Sequence, residues 1–201
     1  MGSTLLHLLL LLPLFTPPTS AHCIPRPSSP HPHPLPTPPS PPPIDAAIRT
    51  ICLLTDHPDL CISSTHPFHP TPSPPSPHPT IDARAVLQME IKACANLTEV
   101  AREASHRIAS DPSTPSTLSM VIGVCTESYD DALDNLKSAT KAIADRDAGT
   151  LDSMLSAAMT DFGTCDDSFM ETPGIESPMA KYDDTLTKLA SNCLVIAKLV
   201  H

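Results

Sequence analysis

The chain has 201 residues, 22 acidic against 12 basic side chains and a formal charge of −10. That balance argues against nucleic acid and against an anionic membrane surface as partners. With no tryptophan, four phenylalanines and two tyrosines, the chain also lacks the stacking platforms that flat ligands and bases use.

Met1 to Ala21 contains no Lys, Arg, Asp or Glu and carries the run Leu5-Leu6-His7-Leu8-Leu9-Leu10-Leu11-Leu12, followed by small residues at Thr19-Ser20-Ala21. This predicts a secretory signal peptide over residues 1–21, cleaved after Ala21, with an apolar run too short to cross a membrane. The mature protein is expected to be secreted. Its cysteines are therefore read first as disulfide partners.

Residues 22–43 form a Pro/His-rich segment, and a second proline tract runs from His66 to Pro79. Such stretches bury too little apolar surface to fold and are expected to be extended or disordered. Of the 26 prolines only Pro112, Pro115, Pro173 and Pro178 follow Pro79, each where a helix would start or stop. The histidines of His31-Pro32-His33 and His66-Pro67-Phe68-His69 read as solvated linker rather than metal ligands, because no carboxylate or thiolate stands beside them.

The island from Ile44 to Ser64 holds Cys52 and Cys61 in a C-x8-C arrangement. Asp45 can cap a short helix carrying Ile48, Ile51 and Cys52, and His57-Pro58 starts a second one through Leu60 and Cys61. So small a hairpin needs a bridge of its own, which argues for Cys52–Cys61.

Ile81 to Ser110 predicts a long helix capped by Thr80 or Asp82, with Leu87, Ile91, Cys94, Thr98, Ala101, Ser105 and Ile108 on one seam. Leu118 to Phe169 predicts two more, folded back at Asp145-Arg146-Asp147-Ala148-Gly149. Cys125 and Cys165 are equidistant from residue 145. Equal rise on both arms brings them to one height, so a bridge between them is favoured over two buried thiols. A last helix carries Met179, Tyr182, Leu186, Leu189, Cys193, Ile196 and Val200. The expected fold class is all-α, an up-down-up-down four-helix bundle with an N-terminal disulfide-closed helical hairpin.

Cys94 and Cys193 should lie at similar height on adjacent helices, either as a third disulfide or as buried thiols, and Cys23 is the odd thiol. Asn96-Leu97-Thr98 is a glycosylation sequon, and Asn96 is turned about 200° from Cys94, toward water. From Ser116 to His201 there are fourteen Asp and Glu against six Lys and Arg. That acidic face is either merely solvated or drawn to a basic partner. No G-x-S-x-G, glycine-rich phosphate loop, H-E-x-x-H or calcium-loop pattern occurs, and carboxylates such as Asp130 and Asp134 on a helix surface lack a cleft. A binding protein without catalytic residues, cofactor or metal is expected.

Four motifs in order then carry a resemblance. Cys52-x8-Cys61, Cys125-Thr126-Glu127-Ser128-Tyr129-Asp130-Asp131-Ala132, Leu155-Ser156-Ala157-Ala158-Met159-Thr160 leading into Thr164-Cys165-Asp166-Asp167-Ser168-Phe169, and Leu189-Ala190-Ser191-Asn192 resemble the plant invertase and pectin methylesterase inhibitor family over residues 44–201. The resemblance implies an apoplastic inhibitor domain with disulfides Cys52–Cys61 and Cys125–Cys165. This chain departs from the pattern at the tract from His66 to Pro79, at His57 where an aromatic is common, and at Met154 where tryptophan is frequent.

Members of that family cover the pectin cleft of pectin methylesterase or occupy the active site of an invertase. Ser177-Pro178-Met179-Ala180-Lys181-Tyr182 lacks the Pro-Lys-Phe element of invertase-directed members, so pectin methylesterase is the expected target and invertase the alternative. Exposed polar residues on the second and third long helices, Glu127, Asp130, Asp134 and Thr160, are the contact candidates. A third reading, a wall-associated structural glycoprotein without inhibitory activity, draws on extensin-like runs such as Pro72-Ser73-Pro74-Pro75-Ser76-Pro77.

Overall fold

Apolar residues recurring at three- and four-residue steps can be buried only if their helices pack stripe to stripe, and four long helices do so. The computed structural model describes residues 46–68 and 81–200. These form α1 (Ala46–Cys52), α2 (Pro58–Thr65), a 3-10 turn (His66–Phe68), α3 (Ala83–Ser110), α4 (Ser116–Asp145), α5 (Ala148–Met170) and α6 (Ala180–Ala197). Both α3 and α5 pack against α4 and α6, so the long helices stand in a square, and α1 and α2 lean on α3 and α6. The predicted signal peptide, the segment 22–43, the Asp45 cap, Cys23 and the tract beyond Phe68 lie outside the described residues. His66 to Phe68, read from the sequence as the start of that tract, instead prolong α2, and Lys92 sits 5.0 Å over the Phe68 ring.

Local chemistry sets the helix ends. Asp82 caps α3 by accepting from the Ala85 N–H at 2.8 Å, and Asp147 caps α5 by accepting from the Thr150 N–H at 3.0 Å. The turn between α4 and α5 is tighter than its glycine suggests. Gly149 lies inside the first turn of α5, and the left-handed residue that ends α4 is Arg146 (φ 58°). The N–H groups of Arg146 and Asp147 close the helix on the carbonyls of Ile143 and Ala142, as in a Schellman-type cap. Arg84 of α3 reaches across to donate to the Ile143 carbonyl at 2.8 Å. Beyond α5 the chain turns at Gly174 (φ 87°), a backbone that side-chain-bearing residues rarely adopt.

Two disulfides are present among the described residues. Cys52–Cys61 closes the α1–α2 hairpin, and Cys125–Cys165 joins α4 to α5 across a Cα separation of 4.4 Å. The third bridge is absent: Cys94 and Cys193 are free, fully buried thiols. Burial, the charge of Glu90 and, at Cys193, the neighbouring Cys94 push both thiols up. Thiol oxidation proceeds through the thiolate, which is thereby suppressed, and the pair serves as small apolar packing between α3 and α6.

Polar side chains inside the bundle join elements that apolar contact alone would leave free to slide. Glu90 of α3 is fully buried and accepts from Asn192 Nδ2 of α6 at 3.1 Å and from Ser64 Oγ of α2. Asn192 also accepts from the His57 N–H at 3.0 Å and donates to the His57 carbonyl at 3.1 Å. It thereby pairs with both backbone groups of His57, the last residue of the hairpin turn. Beside it Ser191 Oγ donates to Asp56 at 2.6 Å. A second junction lies over the α4–α5 disulfide, where Tyr129 OH donates to Asp183 Oδ1 of α6 at 2.6 Å and sits 3.6 Å from Cys165 Sγ. Asp183 is fully buried, and its other oxygen has no hydrogen-bond partner.

Burial pushes Glu90 from its ordinary 4.5 up to about 7, against the pull of its hydrogen bonds from Ser64 and Asn192. Burial likewise pushes Asp183 from 3.8 up to about 7; the Tyr129 hydrogen bond lowers it and the Asp166 charge raises it further. Asp166 is itself raised by its own burial and by the nearby Asp167 and Asp184, so one proton shared between Asp166 and Asp183 explains the orphan oxygen. The folded chain therefore keeps these protons up to about pH 7, whereas the unfolded chain releases them near pH 4 to 4.5. Stability falls as pH rises through that window and levels off above it.

Urea unfolding between pH 4 and pH 8 should show this loss, at most on the order of 3 kcal/mol per group. Glu90→Gln and Asp183→Asn should each flatten the profile, because the introduced amide replaces the proton: it can donate to Ser64 Oγ in the first variant and to Asp166 in the second. A profile as steep in both variants as in the wild type would contradict the assignment. Replacing Cys125 and Cys165 together with Ser should cost about 4 kcal/mol in the same assay, since the bond closes a forty-residue loop.

Candidate partner-binding surface

The inward stripes are consumed by packing, so recognition falls to the outer faces of the helices. On α4, counting 100° per residue from Cys125, which faces the core, Glu127 and Asp134 lie about 180–200° away and point straight out. Both are exposed. Asp130 turns toward α3, where it forms a 3.0 Å ion pair with Arg102. Thr160 is exposed on α5 and donates to its own helix, at the Ser156 carbonyl. The four contact candidates thus do not form one cluster: Glu127 and Asp134 share a face, Asp130 belongs to the α3–α4 edge, and Thr160 stands on the neighbouring helix.

Between α4 and α5 runs a polar seam that the sequence reading passed over. Asn135 Nδ2 of α4 donates to Asp161 Oδ2 of α5 at 2.8 Å. Burial raises Asp161, the Asn135 bond lowers it, and the charge of Asp131 raises it again. Residue 135 lies ten positions before residue 145 and residue 161 sixteen after it, so the height rule that pairs the two cysteines does not reach this contact. Alongside, Met120 is 67% exposed and Val124 38%, one turn apart on α4 and followed by Glu127, Asp131 and Asp134. Two bare apolar side chains leading into three carboxylates give α4 a face with both dispersion and charge to offer a partner.

Other predicted sites sit apart from this face. Asn96 is exposed on the outer side of α3, while Thr98 of the same sequon is buried and donates to the Cys94 carbonyl at 2.8 Å. Among the described residues, no group of three or more His, Cys, Asp or Glu side chains is placed to hold a metal. No described helix is long and apolar enough to cross a membrane.

Comparison with known proteins adds to this geometry. The family described as Plant invertase/pectin methylesterase inhibitor matches residues 46–196. A pectinesterase inhibitor of Actinidia deliciosa is 29% identical over 155 residues, covering 76% of this chain and 78% of that protein. Over 76 residues, 38% of this chain and 45% of the other, a Platanus orientalis protein provisionally named an invertase inhibitor is 33% identical. A crystal structure of a mutant form of a pectin methylesterase inhibitor from Arabidopsis superposes with a TM-score of 0.61 at 19% identity, covering 77% of this chain and 97% of that one. The matched span takes in both disulfides and nearly all of the six helices, and the chain belongs to the plant invertase/pectin methylesterase inhibitor family.

Proposed function

We propose that the protein is a secreted inhibitor of pectin methylesterase that docks through the outer face of α4 and its seam with α5. The family is one of inhibitors rather than enzymes. The observation that carries the docking site is the α4 face itself: Met120, Val124, Glu127, Asp131 and Asp134 are exposed together on a helix tied to α5 by a disulfide. A face held rigid before binding loses little conformational entropy when a partner covers it. The similarity over most of both chains to a pectinesterase inhibitor favours the esterase as target. The absence of Pro-Lys-Phe at Ser177 to Tyr182 supports the same choice.

Inhibition of an invertase is the second reading, favoured by the shorter match to the Platanus protein. Under either reading residues 1–21 act as the leader, 22–43 as a segment ahead of the inhibitor domain and the tract beyond Phe68 as an insertion within it, and Asn96 carries a glycan on the outer side of α3. The cell wall is the site of action.

Titrating the purified protein into a pectin methylesterase and an acid invertase, both at mildly acidic pH, should inhibit the esterase alone. Inhibition of the invertase alone would reverse the assignment. Glu127→Lys with Asp134→Lys should weaken inhibition by about tenfold and reduce its salt dependence; unchanged inhibition would remove this face. On plant-expressed protein, endoglycosidase treatment should lower the mass of the wild type and leave Asn96→Gln unchanged.

A further inference from the structure

A groove of about 400 Å³ opens between α3 and α4 and is lined by Arg102, Glu103, His106, Arg107, Thr126 and Asp130. Its size falls within the ordinary range of small-ligand sites. Arg107 is exposed and has no ion-pair partner among the described residues. The Arg102 guanidinium is steadied by Asp130 at 3.0 Å, with the rest of its donor fork unassigned. His106 Nδ1 lies 3.3 Å from Ser110 Oγ, which leaves Nε2 for a ligand. Thr126 Oγ1 donates to Ser105 Oγ at 2.9 Å, a tie that fixes one wall of the groove to the other.

The lining is mixed in a way that selects among anions. Two guanidiniums and an imidazole suit a carboxylate, which arginine binds in a two-pronged, charge-assisted geometry. Glu103 and Asp130 are acceptors for hydroxyl groups. A sugar acid offers both parts, one carboxylate and several hydroxyls per ring.

We propose that this groove binds de-esterified stretches of a uronate polysaccharide. The choice of polymer rests on the proposed target. A pectin methylesterase hydrolyses a methyl ester, so water adds, methanol leaves and a carboxylate remains on the sugar. The neutral substrate lacks the charge that Arg102 and Arg107 recognise, and the product has it. Binding through the groove therefore concentrates the inhibitor where esterase has already acted, and the overall charge of −10 opposes unspecific adsorption to the same polyanion.

The test is a binding isotherm of the whole protein, in an Asn96→Gln background so that no glycan flanks the groove, with oligogalacturonate and with the same oligomer fully methyl-esterified. Binding is expected for the first and not the second, and Arg102→Gln with Arg107→Gln should weaken it about tenfold while circular dichroism stays unchanged. Binding by the wild type that the double variant weakens to this extent or more supports the groove whether or not any esterase is inhibited. No binding by the wild type, equal binding of both oligomers, or undiminished binding by the double variant overturns it. The last result would assign retention to the histidine-rich segments that the variant leaves intact.

Discussion

The bond between Cys125 and Cys165 sets the register of α4 against α5, and much of the structure is built on that register. Its two cysteines lie twenty residues either side of Asp145, where α4 ends, so the two helices cannot slide past each other without breaking it. Tyr129, one turn along from Cys125, is then held against the bridge with its hydroxyl 2.6 Å from Asp183, and α6 is drawn onto the pair. Asn135 meets Asp161 on the outer side for the same reason. The external face and the internal junction are two consequences of one covalent constraint.

The hairpin is joined by a different kind of contact. α1 and α2 are too short to be stable alone, and their turn is pinned where Asn192 accepts from and donates to the backbone of His57 while also donating to Glu90. A buried acid is a costly choice for that position. It becomes tolerable when the acid is protonated, and Glu90 and Asp183 both hold their protons to about pH 7. Below that pH the acids of both internal junctions are neutral, and their burial costs least.

Much of the architecture was legible because it is written in spacing. The α3 seam and the equidistant cysteines follow from rise and rotation per residue; capping chemistry narrowed the start of α3 to Thr80 or Asp82, and Asp82 is the cap. Glu90 and Asp183 were missed, although spacing contains them: Glu90 stands four residues before Cys94, and Asp183 four after Met179 and three before Leu186. Charge made both look like surface residues, and only tertiary partners such as Ser64, Asn192 and Tyr129 make their burial possible. At Cys94 and Cys193 spacing supplied the shared height and left two readings open, a bridge or buried thiols; the structure shows the thiols, since similar height on two helices does not by itself aim two sulfur atoms at each other. Surface sites are less legible in spacing: rotation about α4 separates Asp130, which pairs with Arg102, from Glu127 and Asp134.

The central claim is that a rigid face on α4 and its α5 seam recognises the target enzyme. Hydrogen–deuterium exchange of the protein alone and in complex with a pectin methylesterase tests this most directly. The account predicts new protection in α4 around residues 120–134 and in the facing part of α5, with α1, α2 and the outer side of α3 unchanged. Protection confined to the hairpin and α3, with α4 exchanging as in the free protein, would contradict it.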